Sequence, residues 1–139
     1  MYGFTKDESN WPIISLSLGE NFDQETVEEY TAYWEELLSR QSPFGLIMLH
    51  SSEKNARPER AVTQLYMNWC KRNKHEIAQY CSGIAVVMQN AKLLALYKPV
   101  TAVSTKRTYG CPGGAFAKEV EAIKWLEELL AQALSGAKI

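Results

Sequence analysis

Short apolar runs alternate along the chain with longer segments in which apolar residues recur at helical spacing. Apolar and polar residues alternate over Ile13–Leu18, which predicts a strand. Continuous apolar runs over Phe44–Leu49 and residues 84–88 predict two strands buried on both faces. A fourth, shorter strand is predicted at Ala115 and Phe116, after a loop rich in glycine.

Segments with apolar residues three and four positions apart follow these strands. The first predicts a helix that is capped by Asp23 and ends near Arg40. The second predicts a helix from Pro58 to about Cys81, and the third predicts a last helix that Gly136 terminates. The second half of the second helix carries a solvated basic patch, made of Lys71, Arg72, Lys74 and His75.

The segment between residues 91 and 105 permits two structures. Asn90 is a suitable N-cap for a helix, but Pro99 interrupts the pattern. Either a kinked helix continues through Pro99, or residues 100–105 form a strand. We favour the kinked helix, because Ala115 and Phe116 supply the strand that would come next.

The alternation of strands and helices predicts an α/β fold with a mostly parallel sheet. A chain of 139 residues suffices for one core and is too short for two. Residues 1–10 are polar and acidic, so we expect a flexible leader there and a single domain over residues 11–139.

Charge and hydropathy limit the classes of partner. With 15 basic and 16 acidic residues the net charge is −1, which predicts no overall field that would attract nucleic acid or anionic lipid. No apolar run approaches the roughly 20 residues of a membrane span, and the first residues lack an apolar signal. We therefore expect a cytoplasmic protein that does not bind nucleic acid.

Motifs for catalysis and metal binding are missing from the sequence. Cys70, Cys81 and Cys111 show no CxxC spacing, and His50 and His75 have no metal-ligand spacing, so reduced structural thiols and no metal are expected. The chain has neither a phosphate-binding glycine motif nor a GxSxG elbow. These observations predict a protein that is not an enzyme and holds no cofactor.

The polar segment over residues 50–60 is the first candidate site. It follows the most apolar strand, and loops at the carboxyl ends of parallel strands bind ligands in α/β sheets. Ser51 and Ser52 could accept a phosphate, and Arg57 and Arg60 could hold it or another anion. A solvated loop with turn-forming serines is the alternative.

An apolar pocket is the second candidate site. Tyr66 and Trp69 lie on the second helix, and Leu94 and Tyr97 lie in the apolar segment around Pro99. Together these side chains could bind a small lipophilic ligand. The alternative for the aromatic residues is core packing.

Four segments resemble the SpoIIAA-like, or STAS-like, group of small bacterial domains. The similarity extends from residue 11 to 134, and its segments are Trp11-Pro12-Ile13-Ile14, Ser42-Pro43-Phe44-Gly45-Leu46-Ile47, Ser82-Gly83-Ile84-Ala85-Val86-Val87, and Phe116 followed by Glu121-Ala122 and Trp125-Leu126. The resemblance implies a sheet of four to five strands with helices mainly on one face, and no catalytic residues. Phosphorylated members carry an acidic residue followed by Ser-Gly, whereas this chain has His50-Ser51-Ser52-Glu53.

The resemblance implies a regulatory or protein-interaction role. We expect a non-catalytic module that binds a protein partner through helix faces near residues 50–60 and 90–105. A small-molecule or lipid-binding module with an apolar pocket is the alternative. A homodimer through the later helices could also form, although no heptad pattern supports it.

Overall fold

A computed structural model describes residues 4–18, 23–49 and 60–134 of the chain. Within these ranges five strands and four helices follow one another in an α/β arrangement. In chain order they are β1 (Phe4–Asn10), β2 (Ile13–Leu18), α1 (Gln24–Ser39), β3 (Phe44–Leu49), α2 (Arg60–Tyr80), β4 (Cys81–Val87), α3 (Ala91–Tyr109), β5 (Gly113–Phe116) and α4 (Glu119–Leu134).

The strands form one mixed sheet in the order β1-β2-β3-β4-β5. Strands β2 to β5 are parallel to their neighbours, and β1 pairs with β2 in the antiparallel direction. Right-handed connections between parallel strands in sequential order place every connecting helix on the same face. Helices α1, α2 and α3 accordingly lie on one face, and α4, which follows the last strand, covers the other.

Alternate strand residues supply the two cores. Ile14, Leu46 and Ile84 are paired across three strands and pack against the aromatic side chains of α1 and α2. Their neighbours Ile47 and Ala85 point to the opposite face and pack against α4. The predicted fold class is therefore confirmed, with three of the four helices on one face.

The prediction of a flexible leader over residues 1–10 is wrong for Phe4–Asn10, because these residues form strand β1. The Tyr33 hydroxyl donates a hydrogen bond to the Glu8 carboxylate at 2.5 Å, and the Arg40 guanidinium donates two at 3.2 Å. These partners lie on and just after α1, far away in sequence. An edge strand held by polar side chains has no apolar alternation, which explains why the pattern did not reveal it.

The first two predicted helices are present. The Asp23 carboxylate accepts a hydrogen bond from the Thr26 amide at 2.9 Å and caps α1 as predicted. Helix α2 ends at Tyr80 because Cys81 already pairs with Phe44, so β4 begins three residues earlier than predicted. The predicted start of this helix at Pro58 lies outside the described residues.

Helix α3 runs through Pro99 without interruption, so the alternative of a strand over residues 100–105 is wrong. The Asn90 side chain accepts hydrogen bonds from the Lys92 and Leu93 amides and fixes the start of the helix. Pro99 is exposed, and the carbonyl that loses its partner there can face water.

Candidate binding groove between α2 and α3

An open groove of about 1100 Å³ separates the second halves of α2 and α3. The two helices lie side by side on the same face of the sheet, so their outer side chains form its two walls. The described residues that line it are Lys71, Lys74, His75 and Ala78 from α2, Ala102, Val103, Lys106 and Arg107 from α3, and Gly110 after α3.

Short side chains allow the helices to approach each other at this point. Gly110 ends α3 in the left-handed conformation, with φ 83°, and its amide donates to the Lys106 carbonyl at 2.9 Å. A Cβ atom on Gly110 would lie 3.1 Å from the Cβ of Ala78. Ala78, Ala102 and Gly110 are the small residues of the lining, and long lysine and arginine side chains lie beside them.

The described lining is cationic. Lys71, Lys74, Lys106 and Arg107 contribute four positive charges, and none of the described lining residues is acidic. The surrounding chain has the same bias: residues 60–110 contain eight lysines and arginines, with Glu76 as their single acidic residue. Helix α1 contains five glutamates and no basic residue, so the net charge of −1 conceals a segregation of charge. The sequence revealed the α2 half of this patch, and the fold adds the α3 half.

An apolar stripe on α3 leads into the groove. Leu96, Val100 and Val103 are 63%, 54% and 57% exposed, and their spacing of four and three residues places them on one helix face. Val103 also lines the groove, which makes the stripe and the groove continuous. We call the stripe and the groove together the α2–α3 surface.

The predicted anion-binding loop lies mostly beyond the described part of the chain. Ser51, Ser52 and Arg57 fall outside the described residues, and Arg60 is the exposed first residue of α2. The loop therefore stays a prediction.

Two residues of the predicted apolar pocket belong to the aromatic core. The ring centroids of Tyr66 and Trp69 are 6.5 Å apart in a stacked arrangement. The Tyr66 hydroxyl shares a hydrogen bond with the Tyr109 hydroxyl, and the Trp69 indole donates to the Glu35 carboxylate at 2.9 Å. These contacts correspond to the core-packing alternative.

The other two residues of that prediction are on α3, where Leu94 is half-buried and Tyr97 is 44% exposed. The groove described above contains none of the four predicted pocket residues in its described lining. Sequence spacing did not reveal the groove, because its walls come from two helices that only the tertiary fold brings together.

Nucleophilic and phenolic groups are concentrated in the core. Burial raises the pKa of Tyr30 to about 12 and the pKa of the Cys70 thiol to about 11. The Sγ atoms of Cys81 and Cys111 are 3.9 Å apart, and all three cysteines are buried and free. Burial also raises the pKa of the Cys81 thiol well above its ordinary value. The thiols of Cys70 and Cys81, with pKa values raised by burial, are protonated and unreactive at neutral pH.

Within the described ranges, no cluster of three or more histidine, cysteine or carboxylate side chains has an arrangement that could bind a metal ion. None of the helices in the same ranges combines the length and the apolar character that crossing a bilayer requires.

Comparison with known proteins supports the fold. No protein-family model matches the sequence, and no curated protein matches it at a significant level. A crystal structure of an uncharacterized protein from Shewanella loihica PV-4, which belongs to the DUF3478 family and has a SpoIIAA-like fold, is similar with a TM-score of 0.67. The similarity covers 91% of this chain and 95% of that one at 14% sequence identity. The chain therefore has a SpoIIAA-like fold, and this degree of identity carries no inference on function.

Proposed function

We propose that this domain is a non-catalytic protein-interaction module and that its binding site is the α2–α3 surface. One observation carries the proposal: the surface joins exposed apolar side chains to a cluster of cations that form no ion pair with another described residue. The ion pairs within the described residues join Arg40 to Glu8 and Glu36. A regulatory role, as the sequence resemblance implies, would be exerted through this surface.

The placement of the ionisable groups supports a binding role over catalysis. The phenols and thiols with raised pKa values lie in the core, where Tyr30 and Cys70 pack among aromatic rings. Groups that perform acid–base or nucleophilic chemistry need access to a substrate. The accessible polar side chains of the groove are three lysines, Arg107 and His75, and the cations among them suit the recognition of an anionic surface.

A site-specific crosslink tests the location of the binding site. A photoreactive amino acid is placed at Val103 in the groove, and in a matched variant at Val120, which is 67% exposed on α4. Both full-length variants are irradiated in the cells that naturally make the protein. We expect a discrete protein adduct from position 103 and none from position 120. Equal adducts from both positions, or none from position 103, would contradict the proposal.

A small amphiphilic anion is the second candidate for the same groove. The open groove, with a volume of about 1100 Å³, has room for a small molecule, and apolar and cationic side chains share its lining. The test is native mass spectrometry of the protein purified from its own cells. Added mass that is lost on denaturation would support a bound small molecule, whereas the bare mass of the chain would contradict it.

A further inference from the structure

We infer that the α2–α3 surface recognises an acidic amphipathic α-helix of a partner protein. This inference rests on the proposed function and specifies its partner. Three properties of the surface lead to it: the geometry of the apolar stripe, the sign of the surrounding charges and the combination of short and long side chains that line the groove.

The stripe has the geometry that accepts a helix. Leu96, Val100, Val103 and Arg107 follow one another at intervals of four, three and four residues, so they share one face of α3 over roughly 16 Å. The backbone groups of α3 are hydrogen-bonded within the helix, so the surface offers no strand edge to which an extended peptide could add. A helix of about three turns satisfies its own backbone groups and matches the length of the stripe, so it can dock without a strand edge.

The charges select an acidic partner. Lys71 and Lys74 on α2 and Lys106 and Arg107 on α3 line the same groove. Glutamates or aspartates on both flanks of an apolar helix face would pair with these cations. A second copy of this chain docked through the same face would bring the cations of both copies together, which disfavours a symmetric dimer at this surface.

The side chains of the groove favour a helix over a membrane surface. Its lining places Ala78, Ala102 and Gly110 beside lysines and arginines that project much further. A helix can set apolar side chains against the small residues while its acidic side chains pair with the cations. A planar bilayer has no projecting side chains that could do both.

Defined peptides serve as probes for this inference. The first is a synthetic helix of about 18 residues, long enough to be partly helical alone, with leucines on one face and glutamates on both flanks. The second has lysines in place of the glutamates, and the third has the composition of the first in a scrambled order. Binding to the full-length protein is measured by fluorescence anisotropy, and vesicles of equimolar phosphatidylglycerol and phosphatidylcholine are tested in parallel by co-sedimentation.

We expect the acidic amphipathic helix to bind at least about tenfold more tightly than the two control peptides, because only this probe matches both the stripe and the cations. The double substitution Lys74→Glu and Lys106→Glu should weaken that binding by about tenfold or more. The matched double substitution Lys118→Glu and Lys124→Glu, on exposed positions at the opposite face of the sheet, should leave it unchanged.

Several outcomes would overturn the inference. Equal binding of the scrambled acidic peptide would show an anion-binding patch without helix recognition, and sedimentation with vesicles in the absence of peptide binding would show a lipid surface. Failure of all probes, while position 103 still forms a protein adduct in cells, would overturn the helix inference and leave the proposed function standing. Failure of both experiments would overturn both.

Discussion

Helices α3 and α4 flank β5 from opposite faces of the sheet, and they place their apolar residues differently. Helix α4 buries Ala122, Leu126 and Leu130 against the strands. In α3, Thr105 is buried, whereas the apolar stripe of Leu96, Val100 and Val103 is exposed. Two helices of similar length thus contribute very unequally to the core.

This difference separates stability from binding. Single exposed apolar residues are normal on protein surfaces, and Val120 on α4 is an example. Three on one helix face beside a cationic groove form a contiguous patch, which is typical of an interaction site. We therefore expect substitutions in α4 to affect folding and substitutions on the outer face of α3 to affect binding.

The largest expected effect comes from the α4 core. Leu126→Ala removes a fully buried side chain and should lower the free energy of unfolding by about 2–5 kcal/mol, because it leaves a cavity against the sheet. Leu96→Ala makes the same chemical change on α3 and should alter stability by less than about 0.5 kcal/mol. Urea denaturation followed by circular dichroism measures both variants. Similar losses in the two variants would contradict the division between the helices.

The contact between α3 and β5 should produce the next largest effect. A Cβ atom on Gly113 would lie 2.3 Å from the Cβ of Thr105, so Gly113→Ala forces α3 to shift. We expect a loss of about 1–3 kcal/mol in the same denaturation experiment. Gly114→Ala is the control, because its Cβ would meet only the outer edge of the Phe116 ring, at 3.0 Å. This substitution should lower the free energy of unfolding by less than about 1 kcal/mol. Equal losses would mean that Thr105 does not fix the position of α3.

A smaller, pH-dependent effect is expected where charges support the fold. The hydrogen bond from Tyr33, followed by those from Arg40, lowers the pKa of Glu8 below its ordinary value of 4.5. A carboxylate with a lowered pKa stabilises the folded state above its ordinary pKa, and this contribution is lost as the pH falls through the folded-state value. Glu8→Gln should therefore cost about 0.5–1 kcal/mol at pH 7 and progressively less below pH 4.5.

The control for this prediction is Glu128→Gln, which changes an exposed glutamate on α4. The free energies of unfolding of the parent and both variants are compared between pH 7 and pH 3. If Glu8→Gln lowers the free energy of unfolding by the same amount at every pH in this range, the carboxylate charge does not hold β1 on α1.

The sequence was sufficient to predict the elements whose signals are local. The Asp23 cap and the apolar runs of β3 and β4 fix their elements through neighbouring residues, and the structure confirms them. Strand β1 escaped prediction, because it pairs with β2 through backbone groups and lacks an apolar alternation of its own. Its hydrogen-bonding side chain, Glu8, has its partners Tyr33 and Arg40 about thirty residues further along the chain.

The candidate site shows the same limit. Lys71 and Lys74 were recognisable as half of a basic patch, but Lys106 and Arg107 join them only when α2 and α3 are adjacent on the sheet. The position of Trp69 along α2 fits a core residue and a pocket residue equally well. Trp69 is buried because Trp34 and Glu35 of α1 contact it, and its spacing along the sequence does not show these contacts. Composition and spacing do not determine such long-range neighbours.

The most direct test of the account combines the crosslink with charge reversal. The photoreactive residue at position 103 is introduced into the parent protein, into the Lys74→Glu and Lys106→Glu variant, and into the Lys118→Glu and Lys124→Glu control. We expect groove reversal to reduce the protein adduct in cells strongly while the free energy of unfolding changes by less than about 1 kcal/mol, and we expect the control to retain the adduct. An undiminished adduct in the stably folded groove variant would contradict the claim that the α2–α3 surface is the binding site.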